Sequence, residues 1–142
     1  MNTQIKKYFL NDTDETDRLI SSFCETLKPS TSVILNGQMG TGKTYVSKRI
    51  ASFYGIRDLT SSSFQQVTLH SGEMNIVHCD FYRNKFCYQF FFEEIEPLLK
   101  DPWILLLEWF SLENIIPEMG SIQHFLIKDI GSTKRTIKIS KY

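Results

Sequence analysis

A glycine-rich loop between an apolar run and a helix-compatible segment constrains this chain more than any other feature. The apolar residues 33–35 and Asn36 lead into Gly37-Gln38-Met39-Gly40-Thr41-Gly42-Lys43-Thr44, which matches the pattern G-x-x-x-x-G-K-[ST]. Residues 45–54 then favour a helix. In that setting the backbone N–H groups of the loop turn towards polyphosphate oxygens, and the helix N-terminus favours the same negative charge. The pattern predicts a phosphate-binding loop rather than a glycine-rich turn that happens to end in Lys-Thr.

The two side chains that close this loop have distinct expected roles. Lys43 would contact the β- and γ-phosphates of a nucleotide, and the hydroxyl of Thr44 would bind Mg²⁺. Gln38 is one of the four variable positions of the pattern, and backbone N–H donation does not depend on its side chain. The loop therefore predicts a nucleoside triphosphate and Mg²⁺ as cofactors.

Composition limits the other functions open to the chain. Its 142 residues carry 16 basic and 16 acidic side chains, so the net charge is zero. A domain that grips nucleic acid by itself usually has a basic excess, which disfavours tight autonomous RNA or DNA binding. The three cysteines form no C-x-x-C pair, and no apolar run reaches the roughly 18 residues of a membrane span. We expect a single domain over residues 1–142, located in the cytoplasm.

Hydrophobic periodicity predicts a compact α/β fold. Leu19, Ile20, Phe23 and Leu27 recur at helical spacing after Asp12 and Glu15, which fit a helix start. Helices are predicted over residues 14–27, 43–54 and 87 to about 97. Strands are predicted over residues 6–10, 33–36, 64–70, 75–80, 103–107, 123–129 and 135–140. This order predicts a P-loop NTPase fold, with a mixed sheet that has a central parallel part and flanking antiparallel hairpins.

Two carboxylates follow apolar strands and are candidates for the catalytic half of the site. Glu108 ends the buried run 104–107 in the manner of a Walker B strand, and Asp80 ends the run 76–79. Ligands of parallel sheets gather at the carboxyl ends of the strands, so both carboxylates could reach a metal ion beside the loop. A solvated carboxylate at a strand end is the alternative for each.

Together these motifs resemble the TsaE (YjeE) family, the ATPase subunit of the bacterial machinery that makes threonylcarbamoyladenosine in tRNA. The resemblance covers essentially the whole chain. Its signatures, in chain order, are Leu35 to Thr44 for L-x-G-D-L-G-A-G-K-T, Ser61-Ser62-Ser63-Phe64 for S-P-T-F, His78, Asp80, Tyr82 and Arg83 for H-x-D-x-Y-R, Glu108-Trp109 for E-W, a proline segment at Pro117, and Arg135, Ile137 and Ile139 for R-x-I-x-I.

The resemblance implies a role for each matching position. Phosphates of ATP would be held by the loop residues Gly37, Met39, Gly40, Thr41, Gly42, Lys43 and Thr44. Thr44 and Glu108 would hold Mg²⁺, and Asp80 would lie at the metal or at the attacking water. Lys43, Asp80 and Glu108 would then be the catalytic residues. Ser63 stands where the family has a threonine near the γ-phosphate, while Thr13 and Arg135 would border the base.

The same resemblance implies a partner and leaves alternatives open. The partner would be a TsaB–TsaD heterodimer, with tRNA reached only through that complex and no membrane involved. Ser62 replaces the proline of the switch segment, which predicts a less rigid connector. The alternatives are a small metabolite kinase, a GTPase, and a nucleotide-gated binding module with little turnover. A kinase usually has an Arg-bearing lid, and a GTPase usually has N-K-x-D; the sequence shows neither, since residues 84–87 read Asn-Lys-Phe-Cys.

Overall fold

A computed structural model describes residues 4–38, 40–59 and 67–142. They form one seven-stranded sheet in the order β1-β7-β6-β2-β5-β4-β3. The strands are β1 (Gln4–Leu10), β2 (Thr31–Gly37), β3 (Val67–His70), β4 (Asn75–Asp80), β5 (Trp103–Glu108), β6 (Ser121–Gly131) and β7 (Lys134–Lys141). The helices are α1 (Thr13–Thr26), α2 (Lys43–Phe53) and the short α3 (Tyr88–Phe90).

The sheet is mixed, as the sequence predicts. Strands β6, β2, β5 and β4 are parallel neighbours, whereas β1–β7, β7–β6 and β3–β4 pair in antiparallel fashion. The central strands β2 and β5 are buried along most of their length because both of their faces are covered. Their carboxyl ends therefore lie side by side at one edge of the sheet.

Helices α1 and α2 cover one face of this sheet. Helix α1 begins where the sequence predicts, because the Asp12 carboxylate accepts a hydrogen bond from the Glu15 N–H at 2.8 Å. Ile20 and Cys24 of α1 and Val46 and Ile50 of α2 are buried in one apolar cluster with the inward side chains of the sheet. Helix α2 is thereby fixed directly after the loop that leads into it.

The opposite face is covered by an irregular segment. The helix predicted from residue 87 to about 97 is present, but it consists of α3, a π-helical turn at Phe91–Ile95 and a 3-10 turn at Glu96–Leu98. Pro97 has no N–H to donate and cannot extend a regular α-helical ladder. The buried side chains of Phe91 and Ile95 anchor the segment on β4 and β5. No helix of the described residues is long and apolar enough to cross a bilayer.

Candidate functional site

The loop that follows β2 closes at Gly42, where α2 begins. Gly42 has φ +107°, and a Cβ atom added there would lie 2.5 Å from Nη1 of Arg135. At Gly37 an added Cβ would lie 2.4 Å from the carbonyl oxygen of Ile127. Both positions therefore exclude a side chain, the first also because L-residues avoid that backbone conformation. The loop can bring its backbone closer to a ligand than a loop with side chains could.

Lys43 points back into the loop and is 5% exposed. Its Nζ donates hydrogen bonds to the carbonyl oxygens of Gly37 and Gln38, both at 2.7 Å, and lies 4.1 Å from the ring centroid of Trp109. Among the described residues its ammonium group makes no ion pair within 4.0 Å. Burial lowers the pKa of Lys43, while the negative charges of Glu108 and Asp80 oppose that shift. A buried cation without a bonded counter-charge is a fitting partner for a phosphate group.

Glu108 is buried at the end of β5 and joins three polar side chains. Its Oε1 accepts a hydrogen bond from the Thr44 hydroxyl at 3.1 Å. Its Oε2 lies 3.2 Å from the Ser47 hydroxyl, which donates to it, and 2.5 Å from Nε2 of His78. Glu108 and His78 are 1% and 2% exposed. The carboxylate is therefore held in one orientation, with one oxygen directed to the start of α2.

Asp80 lies beside Glu108 across the sheet. The two residues are paired in the register of β4 and β5, so they end neighbouring strands at the same level. One oxygen of Asp80 accepts the Tyr82 N–H at 2.9 Å, which turns the chain away from the strand. Both carboxylates line a cavity of about 370 Å³ at the carboxyl edge of the sheet. Its wall consists of Gly40, Gly42, Lys43, Thr44, Tyr45, Asp80, Tyr82, Glu108 and Trp109.

Trp109 forms an aromatic wall of this cavity in an unusual backbone conformation. Its φ is +59°, in the left-handed region that non-glycine residues rarely adopt. The conformation is held on both sides: the Trp109 N–H donates to the Leu35 carbonyl at 3.2 Å, and the Asn36 side chain bonds both the N–H and the C=O of Phe110. The Trp109 ring also contacts Tyr82, with ring centroids 4.9 Å apart. Strain maintained in this way is typical of functional sites.

Arg135 reaches the loop from β7. Its guanidinium carbon lies 5.6 Å from the ring centroid of Tyr45, and its Nη1 is buried without a hydrogen-bond partner among the described residues. The Tyr45 hydroxyl in turn donates to Asp17 of α1. A buried guanidinium N–H beside the glycine-rich loop is a donor that an anionic ligand could use.

The structure thus brings most of the predicted site residues together at one edge of the sheet. Gly37, Gly40, Thr41, Gly42, Lys43 and Thr44 form the loop, and Asp80, Glu108 and Arg135 surround it. Thr13 is the exposed first residue of α1, one turn before the Asp17 that contacts Tyr45. Met39 and Ser63 lie outside the described residues, as does the start of the strand predicted over 64–70.

Several residues that contact Lys43, Glu108 or the end of β5 were not predicted as part of the site, among them Asn36, Ser47, His78 and Trp109. Helical spacing offered a signal for Ser47, which follows Thr44 by three positions and so lies on the same face of α2. The alternation of side chains along a strand offered a signal for His78, which precedes Asp80 by two positions and therefore lies on the same face of β4. No local pattern marks the backbone contact of Asn36 with Phe110, since the two residues are 74 positions apart.

The oxygen donors of this edge suit a hard cation. A hydroxyl from Thr44 and carboxylates from Glu108 and Asp80 are ligands that Mg²⁺ prefers, and phosphate oxygens of a nucleotide normally complete its shell. Within residues 4–38, 40–59 and 67–142 no group of three His, Cys, Asp or Glu side chains is arranged to hold a metal ion. The protein side of such a site would therefore rely on a bound phosphate, as P-loop magnesium sites do.

Comparison with known proteins identifies the family of the chain. Residues 10–137 match the family model described as Threonylcarbamoyl adenosine biosynthesis protein TsaE. Curated proteins named tRNA threonylcarbamoyladenosine biosynthesis protein TsaE are similar to the chain. The one from Rickettsia prowazekii is 30% identical over 137 residues (93% of this chain and 92% of that protein), and the one from Rickettsia bellii is 30% identical over 112 residues (76% and 77%).

A solved structure shares the fold. The crystal structure of YdiB from Bacillus subtilis superposes with a TM-score of 0.70, covering 99% of this chain and 88% of that one at 23% identity. That likeness confirms the P-loop type of mixed α/β sheet predicted from the sequence, and the family match confirms the resemblance on which the residue roles were based. The chain belongs to the TsaE family, whose members act in the biosynthesis of threonylcarbamoyladenosine in tRNA.

Proposed function

We propose that the chain is a Mg²⁺-dependent ATPase that serves threonylcarbamoyladenosine modification of tRNA. One observation carries the proposal: the hydroxyl of Thr44 and the carboxylate of Glu108 meet at 3.1 Å beside the buried Lys43, which forms no ion pair within the described part of the chain. A hydroxyl that could bind a metal, a carboxylate that could act in hydrolysis and a cation that could bind phosphate therefore lie close together at one edge of the sheet, which supports the proposal. The buried Nη1 of Arg135 and the bare backbone at Gly42 also fit a bound nucleotide.

Each residue would act as its position allows. The N–H groups of the loop and the Lys43 ammonium would bind the phosphates, for which Lys43 would exchange its bonds to the carbonyls of Gly37 and Gln38. Thr44 and Glu108 would hold Mg²⁺, and Asp80 would orient water from the exposed side of the cavity. When bound with its metal, ATP supplies a terminal phosphoryl group that water can attack in line. Trp109 and Tyr82 would restrict access of other water to that point.

The proposed partner is a TsaB–TsaD heterodimer, with tRNA modified by that complex. The support is the family match, since the related proteins are named for this biosynthesis. We expect slow ATP turnover by the isolated chain and faster turnover with the partner. A nucleotide-dependent pull-down with a TsaB–TsaD pair tests this part, and co-purification that is the same with and without ATP would contradict the coupling.

Replacement of Lys43 and Glu108 tests binding and hydrolysis separately. Lys43→Ala should weaken ATP binding by about 10- to 100-fold, because it removes a charged hydrogen-bond donor to phosphate. Lys48→Ala is the matched control, as Lys48 is an exposed lysine of the same helix. Glu108→Gln should retain most of the binding and lose about 10²- to 10³-fold in turnover, whereas the exposed Glu113→Gln should lose nothing.

These variants also separate the proposal from its rivals. Unchanged ATP affinity in Lys43→Ala would overturn the phosphate-binding loop. Full ATP turnover in Glu108→Gln would show that Asp80 or a partner residue, and not Glu108, has the catalytic role. ATP that is bound but never hydrolysed, even with the partner, would indicate a nucleotide-gated binding module. Phosphate transfer to a small molecule without any partner would indicate a kinase.

A further inference from the structure

Charge is strongly segregated in this formally neutral chain. The three strands at one end of the sheet, β1, β7 and β6, contain seven basic residues and one acidic residue, Asp129. The basic residues are Lys6, Lys7, Lys128, Lys134, Arg135, Lys138 and Lys141. Since the whole chain has as many acidic as basic residues, the remainder is acidic by the same amount. The net charge of zero therefore conceals a basic end of the molecule.

One face of this basic end is uncovered. Even-numbered side chains of β1, such as Tyr8 and Leu10, pack beneath α1, so the odd-numbered ones point to the other face. Ile5 and Phe9 are 58% and 69% exposed there. The apolar cluster on that side is built from β2, β4, β5, the start of β6 and the segments around them, and none of its described members comes from β1 or β7.

The register brings lysines together on this uncovered face. Lys7 of β1 lies directly opposite Lys138 of β7. In the next row, Phe9 lies opposite Thr136, which in turn lies opposite Lys128 of β6. Thr136 itself is buried between its neighbours. We name the surface formed by Ile5, Lys7, Phe9, Lys128 and Lys138 the basic face. Like charges directly opposite each other destabilise a sheet, and among the described residues none of these three lysines forms an ion pair.

The exposed aromatic ring lies within this charge. The Nζ of Lys7 is 5.3 Å from the ring centroid of Phe9, so a flat apolar surface and a positive charge are presented side by side. Bases of an unpaired nucleic acid strand stack on such rings while neighbouring lysines contact the phosphates. An acidic protein surface could also contact these lysines, and the competition experiment below distinguishes it from RNA. The combination favours a nucleic acid strand as the ligand.

We propose that the basic face binds a single-stranded or looped segment of RNA directly, with little sequence preference. Lys7, Lys128 and Lys138 would contact phosphates and Phe9 would stack on a base. Because this surface lies on the face of the sheet opposite α1 and α2, RNA binding would not require ATP hydrolysis. It would allow the chain to contact the tRNA whose modification its family serves, in addition to any contact made through a partner.

The test uses the full chain and fluorescence anisotropy with two labelled probes, a 12-nucleotide single-stranded RNA and an unmodified tRNA transcript. Lys7→Gln/Lys138→Gln should weaken binding at 50 mM salt by about tenfold or more. It should also reduce the slope of log K against log salt concentration by about 1.4, or 0.7 for each lysine. Phe9→Thr should weaken binding by about 5- to 50-fold and leave the salt slope unchanged.

The matched control removes the same charge from the same two strands. Lys6→Gln/Lys141→Gln alters two exposed lysines on the α1 side of the sheet and should change RNA affinity by less than about twofold. ATP binding should be normal in all of these variants, which separates a failure here from a failure of the nucleotide site.

Three results would overturn the proposal. The first is no binding of either RNA at 50 mM salt. The second is an equal loss in the two double variants, which would indicate diffuse attraction rather than a binding face. The third is displacement of the RNA by polyglutamate as effectively as by unlabelled RNA, which would indicate an acidic protein as the partner.

Discussion

Replacing Asn36 by Ala tests how the carboxyl end of β5 is held in place. The Asn36 side chain donates to the Phe110 carbonyl at 2.8 Å and accepts from the Phe110 N–H at 3.0 Å. These two bonds fix the chain directly after Trp109, whose backbone is in the left-handed region. Without them, Trp109 is free to relax and its ring should move away from Lys43.

The expected loss of stability follows from these contacts. Phe110 is buried, so its N–H and C=O would each lose the Asn36 side chain as a partner, at about 1–3 kcal/mol apiece. The contact of Asn36 Nδ2 with Nε2 of the buried His124, at 3.1 Å, would be lost as well. Relaxation of Trp109 should return about 1 kcal/mol of backbone strain. The two losses come to about 2–6 kcal/mol, so we expect the free energy of unfolding to fall by about 1–5 kcal/mol, which for a chain of this size lowers Tm by about 3–15 °C.

Urea unfolding, thermal unfolding and tryptophan emission measure these effects. Trp103 is buried, so a red shift in native Asn36→Ala should report mainly on Trp109. Asn75→Ala is the control, because Asn75 makes one exposed hydrogen bond, to the Lys100 carbonyl at 2.9 Å, and should lose at most about 1 kcal/mol. Equal losses in the two variants, or an unchanged emission spectrum in Asn36→Ala, would refute the reasoning.

Three further substitutions test the site. Gly42→Ala should lower the free energy of unfolding by about 1–3 kcal/mol, because φ +107° disfavours a Cβ that would also clash with Arg135. Gly40 also has a positive φ of +80°, so Gly40→Ala carries backbone strain too, but nothing lies within 4 Å of its added Cβ and it should lose less in the same urea titration. His78→Leu should raise the Mg²⁺ concentration needed for ATP turnover by about 10- to 100-fold, whereas His78→Gln, which keeps an N–H near Glu108, should recover most of it. Arg135→Gln should weaken ATP binding by about tenfold, measured by equilibrium titration.

The contrary results are equally specific. Equal stability of the two glycine variants would show that Gly42 is not constrained by Arg135. A His78→Gln variant as impaired as His78→Leu would indicate a packing role rather than orientation of Glu108. Unchanged affinity in Arg135→Gln would leave the buried guanidinium without a function in nucleotide binding.

The arrangement of the loop, Glu108 and Asp80 could be predicted because local patterns determine it. Apolar runs predicted the central strands, and parallel strands bring their carboxyl ends to one edge of the sheet. Glu108 and Asp80 each end such a strand, so they were expected to lie side by side, as the register shows. The glycines of the loop require a backbone that few other sequences allow. These features depend on residues close together in the chain.

The remaining features depend on distant contacts. His78 reaches Glu108 across 30 positions and Asn36 reaches Phe110 across 74, and neither pairing has a local sequence signal. The left-handed backbone of Trp109 is held by the bonds between Asn36 and the adjacent Phe110, since tryptophan has no preference for that conformation. The separation of charge could not be predicted either, because a net charge of zero does not show which strands become neighbours in the sheet.

We expect the loop residues 37–44 to enclose a triphosphate whose metal ion is held by Thr44 and Glu108. The most direct measurement is a crystal structure of the chain with a non-hydrolysable ATP analogue and Mn²⁺, with the metal located by its anomalous signal. We predict that the phosphates contact the loop N–H groups and Nζ of Lys43, and that the anomalous peak lies in contact with the Thr44 hydroxyl on the side facing Glu108. A loop that stays empty at saturating analogue, or a metal peak away from both residues, would contradict the account.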